Sequence, residues 1–166
     1  MRIAEVVAVV VAALAAYPTG SFAGAPEAFE QLKMLAGEWE ADLPGFGKIN
    51  SSVRVVSGGK AVEETIGTPA ENELSVYTLN NDRILLTHFC AMTADGHQVR
   101  LQTSPLASAP DRLDFDFESA INLHDKMAPH MRRVVMHLSD HDHYSAKWTK
   151  TENGKETIFD LKFVRR

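Results

Sequence analysis

The chain has a single cysteine, Cys90, among 166 residues, so no intrachain disulfide can form and stability has to come from a packed core. Basic charge is also scarce. Lys and Arg total 17 against 22 Asp and Glu, with no dense basic block, which disfavours a surface that tracks nucleic-acid phosphates. The longest apolar run, Val6 to Ala16, falls well short of the roughly 20 residues that span a bilayer. A phosphate-binding glycine-rich loop, His-Glu-x-x-His, Gly-x-Ser-x-Gly and Cys-x-x-Cys are all missing, so the common cofactor and hydrolase signatures supply no catalytic residue and no metal site. There is no internal repeat, low-complexity tract or linker, and a 45% hydrophobic content suits one ordinary globular domain.

What is present begins with a leader pattern. Met1 and Arg2 give a short positive start, Val6 to Ala16 an apolar run, and Ser21-Phe22-Ala23 the small residues that a signal peptidase reads. Residues 1–23 are therefore expected to be a cleavable signal peptide and residues 24–166 the folded domain. Its removal takes one charge of each sign and leaves the net charge at −5.

After the leader, Pro26 suits a first helical turn, and Phe29, Leu32 and Leu35 are spaced as one face of a short helix. From Gly37 the hydrophobic period changes to two. Turn signals recur at Pro44-Gly45, Gly58-Gly59, Asn80 to Asp82, Asp95-Gly96, Pro110-Asp111, Asp140 to Asp142 and Asn153-Gly154. The pattern predicts ten strands, at 37–43, 48–57, 60–67, 73–79, 83–92, 97–104, 112–121, 132–139, 143–151 and 155–165. Consecutive antiparallel strands joined by short turns leave two bare edges unless the sheet closes. The expected fold is thus all-β: a ten-stranded antiparallel up-and-down barrel with a short N-terminal helix, wide enough to keep a cavity.

Parity assigns the lining of that barrel. Val53 with Val55, Val62 with Ile66, Leu113 with Phe115 and Phe117, Val134 with Met136 and Leu138, Tyr144 with Ala146 and Trp148, and Phe159 with Leu161 and Phe163 each make one apolar face, expected to point inward.

Leu35-Ala36-Gly37-Glu38-Trp39, a Gly-x-Trp between a short helix and the first strand, resembles the opening of lipocalins and other calycins. Glycine would ease the turn from helix to strand, and Trp39 would close the barrel's base with its ring N–H needing a partner. The stretch Arg54 to Ala61, then Glu64-Thr65, then Leu86-Thr87-His88-Phe89-Cys90-Ala91-Met92 is similar to a family of exported bacterial lipocalin-like proteins, and the likeness covers nearly all of residues 27–165. It implies a barrel and an exported, periplasmic or extracellular location, and it brings no catalytic residue. A more distant resemblance is to nitrobindin, a ten-stranded calycin that binds haem through a histidine; Glu40-Ala41-Asp42 stand where that protein continues with glycines.

Several residues stand out for chemistry. Glu64 shares its parity with Val62 and Ile66, and a carboxylate in an apolar lumen needs a cation, a hydrogen-bond donor or a raised pKa. It could anchor a ligand or act as a base; an internal arginine or water is the plainer way to satisfy it. His88 and Cys90 share a face with Leu86 and Met92, a pairing suited to a soft metal or an activated thiol, although a buried structural His and Cys is the blander reading. Their opposite face, Leu85, Thr87, Phe89 and Ala91, is apolar too. If His88 and Cys90 face the lumen, Leu85 and Phe89 need cover from a loop or a second copy of the chain, as in a homodimer.

The one long connection, 122–131, carries Met127 and His130 and is a lid candidate. Asp140-His141-Asp142-His143 reads as a solvated turn, His137 as outward-facing and Arg100 as external. The leading expectation is a non-enzymatic cell-envelope protein holding a small apolar molecule through Glu64, Tyr77, His88, Cys90, Phe115, Met127, His130 and Trp148. Two alternatives are acid–base, isomerase-like chemistry by Glu64 and His88, and haem or metal binding through a lumen histidine.

Overall fold

The computed structural model of the protein describes residues 24–90, 97–103 and 111–166. The expected signal peptide, residues 1–23, lies outside the described residues, as do Ala91 and Met92. The helix α1 (Ala25–Lys33) starts with proline in its first turn, carries Glu27 at its N-terminal and Lys33 at its C-terminal end, and buries Ala28, Phe29 and Leu32. Those charges complement the helix dipole. Among the described residues no helix is long and apolar enough to cross a membrane.

All ten expected strands form: β1 (Gly37–Leu43), β2 (Gly47–Val56), β3 (Ala61–Gly67), β4 (Asn72–Asn80), β5 (Arg83–Cys90), β6 (His97–Thr103), β7 (Arg112–Ile121), β8 (His130–Leu138), β9 (His143–Glu152) and β10 (Lys155–Arg165). Each pairs antiparallel with its neighbour in sequence, and β1 pairs with β10, so the sheet is a closed barrel. Closure removes both edges.

The two ends of the barrel differ. At the end covered by α1, Trp39 is fully buried, donates its ring N–H to the Leu35 carbonyl at 2.8 Å, and meets Tyr144 edge to face at 4.8 Å. Tyr144 in turn stacks on Phe163. The Arg165 guanidinium lies 4.1 Å over the Trp39 ring and donates to the carbonyls of Met34, Ala36 and His141. Met34 is the C-cap of α1, so this cation satisfies carbonyls that the helix itself leaves without partners. Gly37 is explained more sharply here than by a tight turn alone. Its φ is +147°, and a Cβ there would sit 2.3 Å from Arg165 Nη1.

Parity succeeds along most strands and fails where the register shifts. Phe117, expected inside, is 38% exposed. Phe117 pairs with Leu101 and Ser119 with Arg100, so Glu118 is an extra residue that bulges the strand. Beyond Asp116 with Arg133, β7 also parts from β8. Val55, likewise expected inside, is 40% exposed near the C-terminal end of β2, beside the Ser57–Gly59 turn. The two faces of β5 resolve in favour of the lumen for Leu86, His88 and Cys90, all buried, while Phe89 faces out.

Gly37→Ala is expected to destabilise the fold by about 2 kcal/mol in urea unfolding, because it forces a strained backbone and pushes the guanidinium off its carbonyls. Arg165→Ala and Gly37→Ala should be sub-additive in a double-mutant cycle by more than about 0.5 kcal/mol. Full additivity would show that the two residues do not share a contact.

Candidate functional site

Above the Trp39 plug the lumen turns polar, in two connected layers. In the first, Glu64 on β3 is 2% exposed and accepts three hydroxyl hydrogen bonds: from Ser51 on β2 at 2.8 Å, from Tyr77 on β4 at 2.7 Å and from Tyr144 on β9 at 3.0 Å. Tyr144 also donates to the Ser51 hydroxyl at 3.0 Å. Among the described residues no Lys or Arg is buried, so hydroxyls take the place of the internal arginine that a lumen carboxylate would ordinarily recruit. Burial beside the Glu64 charge pushes both Tyr77 and Tyr144 well above the ordinary tyrosine pKa. For each, desolvation is the larger cause and the Glu64 charge the next.

The second layer lies on β4 and β5. Ser75 stands opposite His88 in the register, and its hydroxyl is 3.0 Å from His88 Nδ1. On the far side of the ring, His88 Nε2 is 3.2 Å from Glu73 Oε2, and the Cys90 thiol is 3.7 Å from Glu73 Oε1. Trp148 lies 4.8 Å from the His88 ring at a tilt of 39°. His88 Nε2 and the Trp148 ring N–H are both buried without a hydrogen-bond partner of adequate geometry.

These two residues line a cavity of about 250 Å³ at the end of the barrel away from α1. Its other walls are Leu43, Phe46, Ile49, Ile66, Gly67, Thr68, Met131, Phe159 and Leu161, with Glu71 and Glu73 as the acidic groups. The mouth lies where β1 and β10 diverge: the strands pair at Trp39 with Arg165 and Glu40 with Val164, and Phe46 meets Phe159 edge to face across the gap.

The residues singled out by sequence divide accordingly. His88 and Trp148 are cavity walls, Cys90 is buried beside Glu73, and Glu64 and Tyr77 form the layer beneath. Phe115 is fully buried and packs edge to face on Tyr77 at 5.8 Å. Met127 and His130 are not cavity walls; they border a separate groove with Phe117 and Lys126 at the β7–β8 seam. Met127 is 47% exposed, and the 122–131 connection is tied down by the Asn153 N–H donating to the Met127 carbonyl. Of that connection only Met131 reaches the cavity, because the bulge at Arg132 turns it inward. The turn histidines bond locally, His141 to Asp142 and His143 to Asp140, and are exposed as expected.

Three residues of the candidate site escaped the sequence: Ser51, Ser75 and Glu73. Glu73 had a signal, since it shares strand parity with Ser75 and Tyr77. Glu64 and His88 do not meet; each has its own partners. No protein-family model and no curated protein sequence matches the chain.

The raised tyrosines set a pH dependence. Both Tyr77 and Tyr144 hold their protons above pH 10 in the folded state, whereas the unfolded chain releases them near 10. Their contribution is therefore intact below pH 10 and declines above it, by about 1.4 kcal/mol per pH unit for each tyrosine. Urea unfolding between pH 9 and 11.5 should show this fall, and Tyr144→Phe should remove about half of the tyrosine-dependent slope. A slope unaltered by Tyr144→Phe would exclude Tyr144 from it.

Proposed function

We propose that this barrel is a binding protein of the cell envelope whose cavity takes one small, largely apolar molecule carrying a hydrogen-bond acceptor. The observation that carries the reading is the buried, unpartnered Trp148 N–H at the wall of an otherwise apolar cavity. A buried donor without a partner costs about 1–3 kcal/mol, a cost that an acceptor on a guest would relieve. Few polar groups set in mostly apolar walls is the usual make-up of a small-molecule site.

Glu71 and Glu73 at the cavity disfavour an anionic head group, so the guest is neutral or cationic. The leader pattern in residues 1–23 and the resemblance to exported bacterial lipocalin-like proteins support the location. The acid–base alternative finds less support. The Glu64 oxygens are held by Ser51, Tyr77 and Tyr144, and Glu64 is not a cavity wall.

Titration with 1-aminoanthracene, a neutral three-ring probe with an amine, tests the cavity. Saturable fluorescence enhancement at one equivalent is expected, with at least tenfold weaker binding in Leu161→Trp, which fills the wall opposite His88. Absent or non-saturable enhancement, or equal binding in Leu161→Trp, would overturn the reading.

A further inference from the structure

We propose that Glu73, His88 and Cys90 form a binding site for a borderline-soft divalent metal ion of the Zn²⁺ class, with its fourth coordination position open to the cavity. The three donors are fixed by sheet geometry. His88 and Cys90 are two apart on β5 and share its inward face, while Glu73 lies on the same face of β4, one residue beyond the Leu74–Phe89 pair. All three donor atoms fall within 4.8 Å of one another.

The separations are of the size one shared ion requires. With Zn–N and Zn–O bonds near 2.1 Å and Zn–S about 2.3 Å, tetrahedral donors stand about 3.3 Å apart for N and O and about 3.5 Å for S and O. His88 Nε2 is 3.2 Å from Glu73 Oε2, while Cys90 Sγ is 3.7 Å from the other oxygen, Oε1; with one carboxylate oxygen as ligand the three donor atoms still fall within 4.8 Å of one another. The His88–Glu73 contact is short, yet it lacks the alignment of a hydrogen bond, which leaves Nε2 buried without a partner. Two ligands of one ion aim at a point between them rather than at each other, and that accounts for a close but off-line approach.

The surroundings fit the same assignment. The Ser75 hydroxyl lies 3.0 Å from His88 Nδ1, placed to accept from Nδ1–H in the tautomer that leaves the Nε2 lone pair for a metal. A thiolate, a carboxylate and a neutral imidazole sum to −2, so a divalent ion makes the buried set neutral, where either anion alone would be costly. No Lys or Arg is buried among the described residues to do this instead. His88 and Glu73 both border the cavity, which places the open position there. Three protein ligands plus an open site is the pattern of a zinc ion that binds an outside ligand.

Co²⁺ titration of the chelator-treated protein, with the thiol kept reduced, tests the site without requiring any organic guest. One equivalent is expected to give a thiolate-to-cobalt charge-transfer band that Zn²⁺ displaces and whose ligand-field bands shift on adding azide. Cys90→Ser should abolish the band. Glu73→Gln and His88→Ala should each weaken binding at least tenfold, and Ser75→Ala about tenfold through the lost support of the imidazole. His141→Ala with His143→Ala should change nothing. Zn²⁺ should also slow alkylation of Cys90 in the unaltered protein, a readout that survives if His88→Ala fails to fold. The site is overturned if no charge-transfer band forms, if Zn²⁺ leaves alkylation unchanged, or if the turn histidines account for the binding; a hydrogen-bonded triad alone would give the first two results. None of these outcomes bears on 1-aminoanthracene binding.

Discussion

One guanidinium clasps the seam that closes the strand ring. β1 and β10 pair in register at Trp39 with Arg165 and at Glu40 with Val164, a short seam for strands of seven and eleven residues. The Arg166 N–H donating to the Glu38 carbonyl extends it, and the Arg165 side chain reinforces it. Its hydrogen bonds reach Met34 and Ala36 at the exit of α1 and His141 in the β8–β9 turn, while its flat face covers the Trp39 ring. Each bond is charge-assisted, and the helix-end carbonyls carry the negative pole of α1. One side chain thereby binds the helix, the first strand, the last strand and a turn, which is why Gly37 has to leave room for it.

A seam clasped at only one end is free to open at the other, and the cavity lies there. Leu43 and Phe46 on one side, and Phe159 and Leu161 on the other, are the lips of the divergence between β1 and β10. Between plug and cavity, the Glu64 layer acts as a septum. It draws hydroxyls from β2, β4 and β9, and because Tyr144 reaches across from the far side of the barrel, these bonds also fix how opposite walls face each other. Apolar packing alone tolerates sliding between walls; a buried carboxylate with three directional donors does not.

The strand plan was legible because period-two patterning and turn residues act locally, and both survive in a single sequence. The site was legible only in part. Inward placement of Glu64 followed from Val62 and Ile66 on its own strand, but Tyr144, 80 residues further on, is its partner through barrel curvature that no local pattern carries. β5 was ambiguous because both its faces are apolar, and what decides between them is the neighbouring Ser75 and Glu73. Phe117 was misplaced because the strand bulges directly after it at Glu118 and parts from β8 beyond Asp116, and nothing in the sequence near it marks either change. Met127 and His130 were assigned to a lid from loop length, yet the loop's backbone is committed to the β9–β10 turn.

The way Glu64 is satisfied bears on what the lumen can hold. An arginine partner would bring a cation into the lumen, whereas the hydroxyl donors of Ser51, Tyr77 and Tyr144 bring none. The Glu64 charge is the second cause, after desolvation, of the raised pKa of Tyr77 and Tyr144. Glu73 adds a second carboxylate a strand away, and the whole chain carries −5. Inside walls of low polarity charge is weakly screened, so on the proposed function the metal-free cavity favours neutral guests or cations near His88. On the proposed binding function, a guest near His88 meets Glu71 and Glu73 at the walls with the hydroxyl-bound Glu64 beneath them, so the sign of its charge decides how closely it can approach.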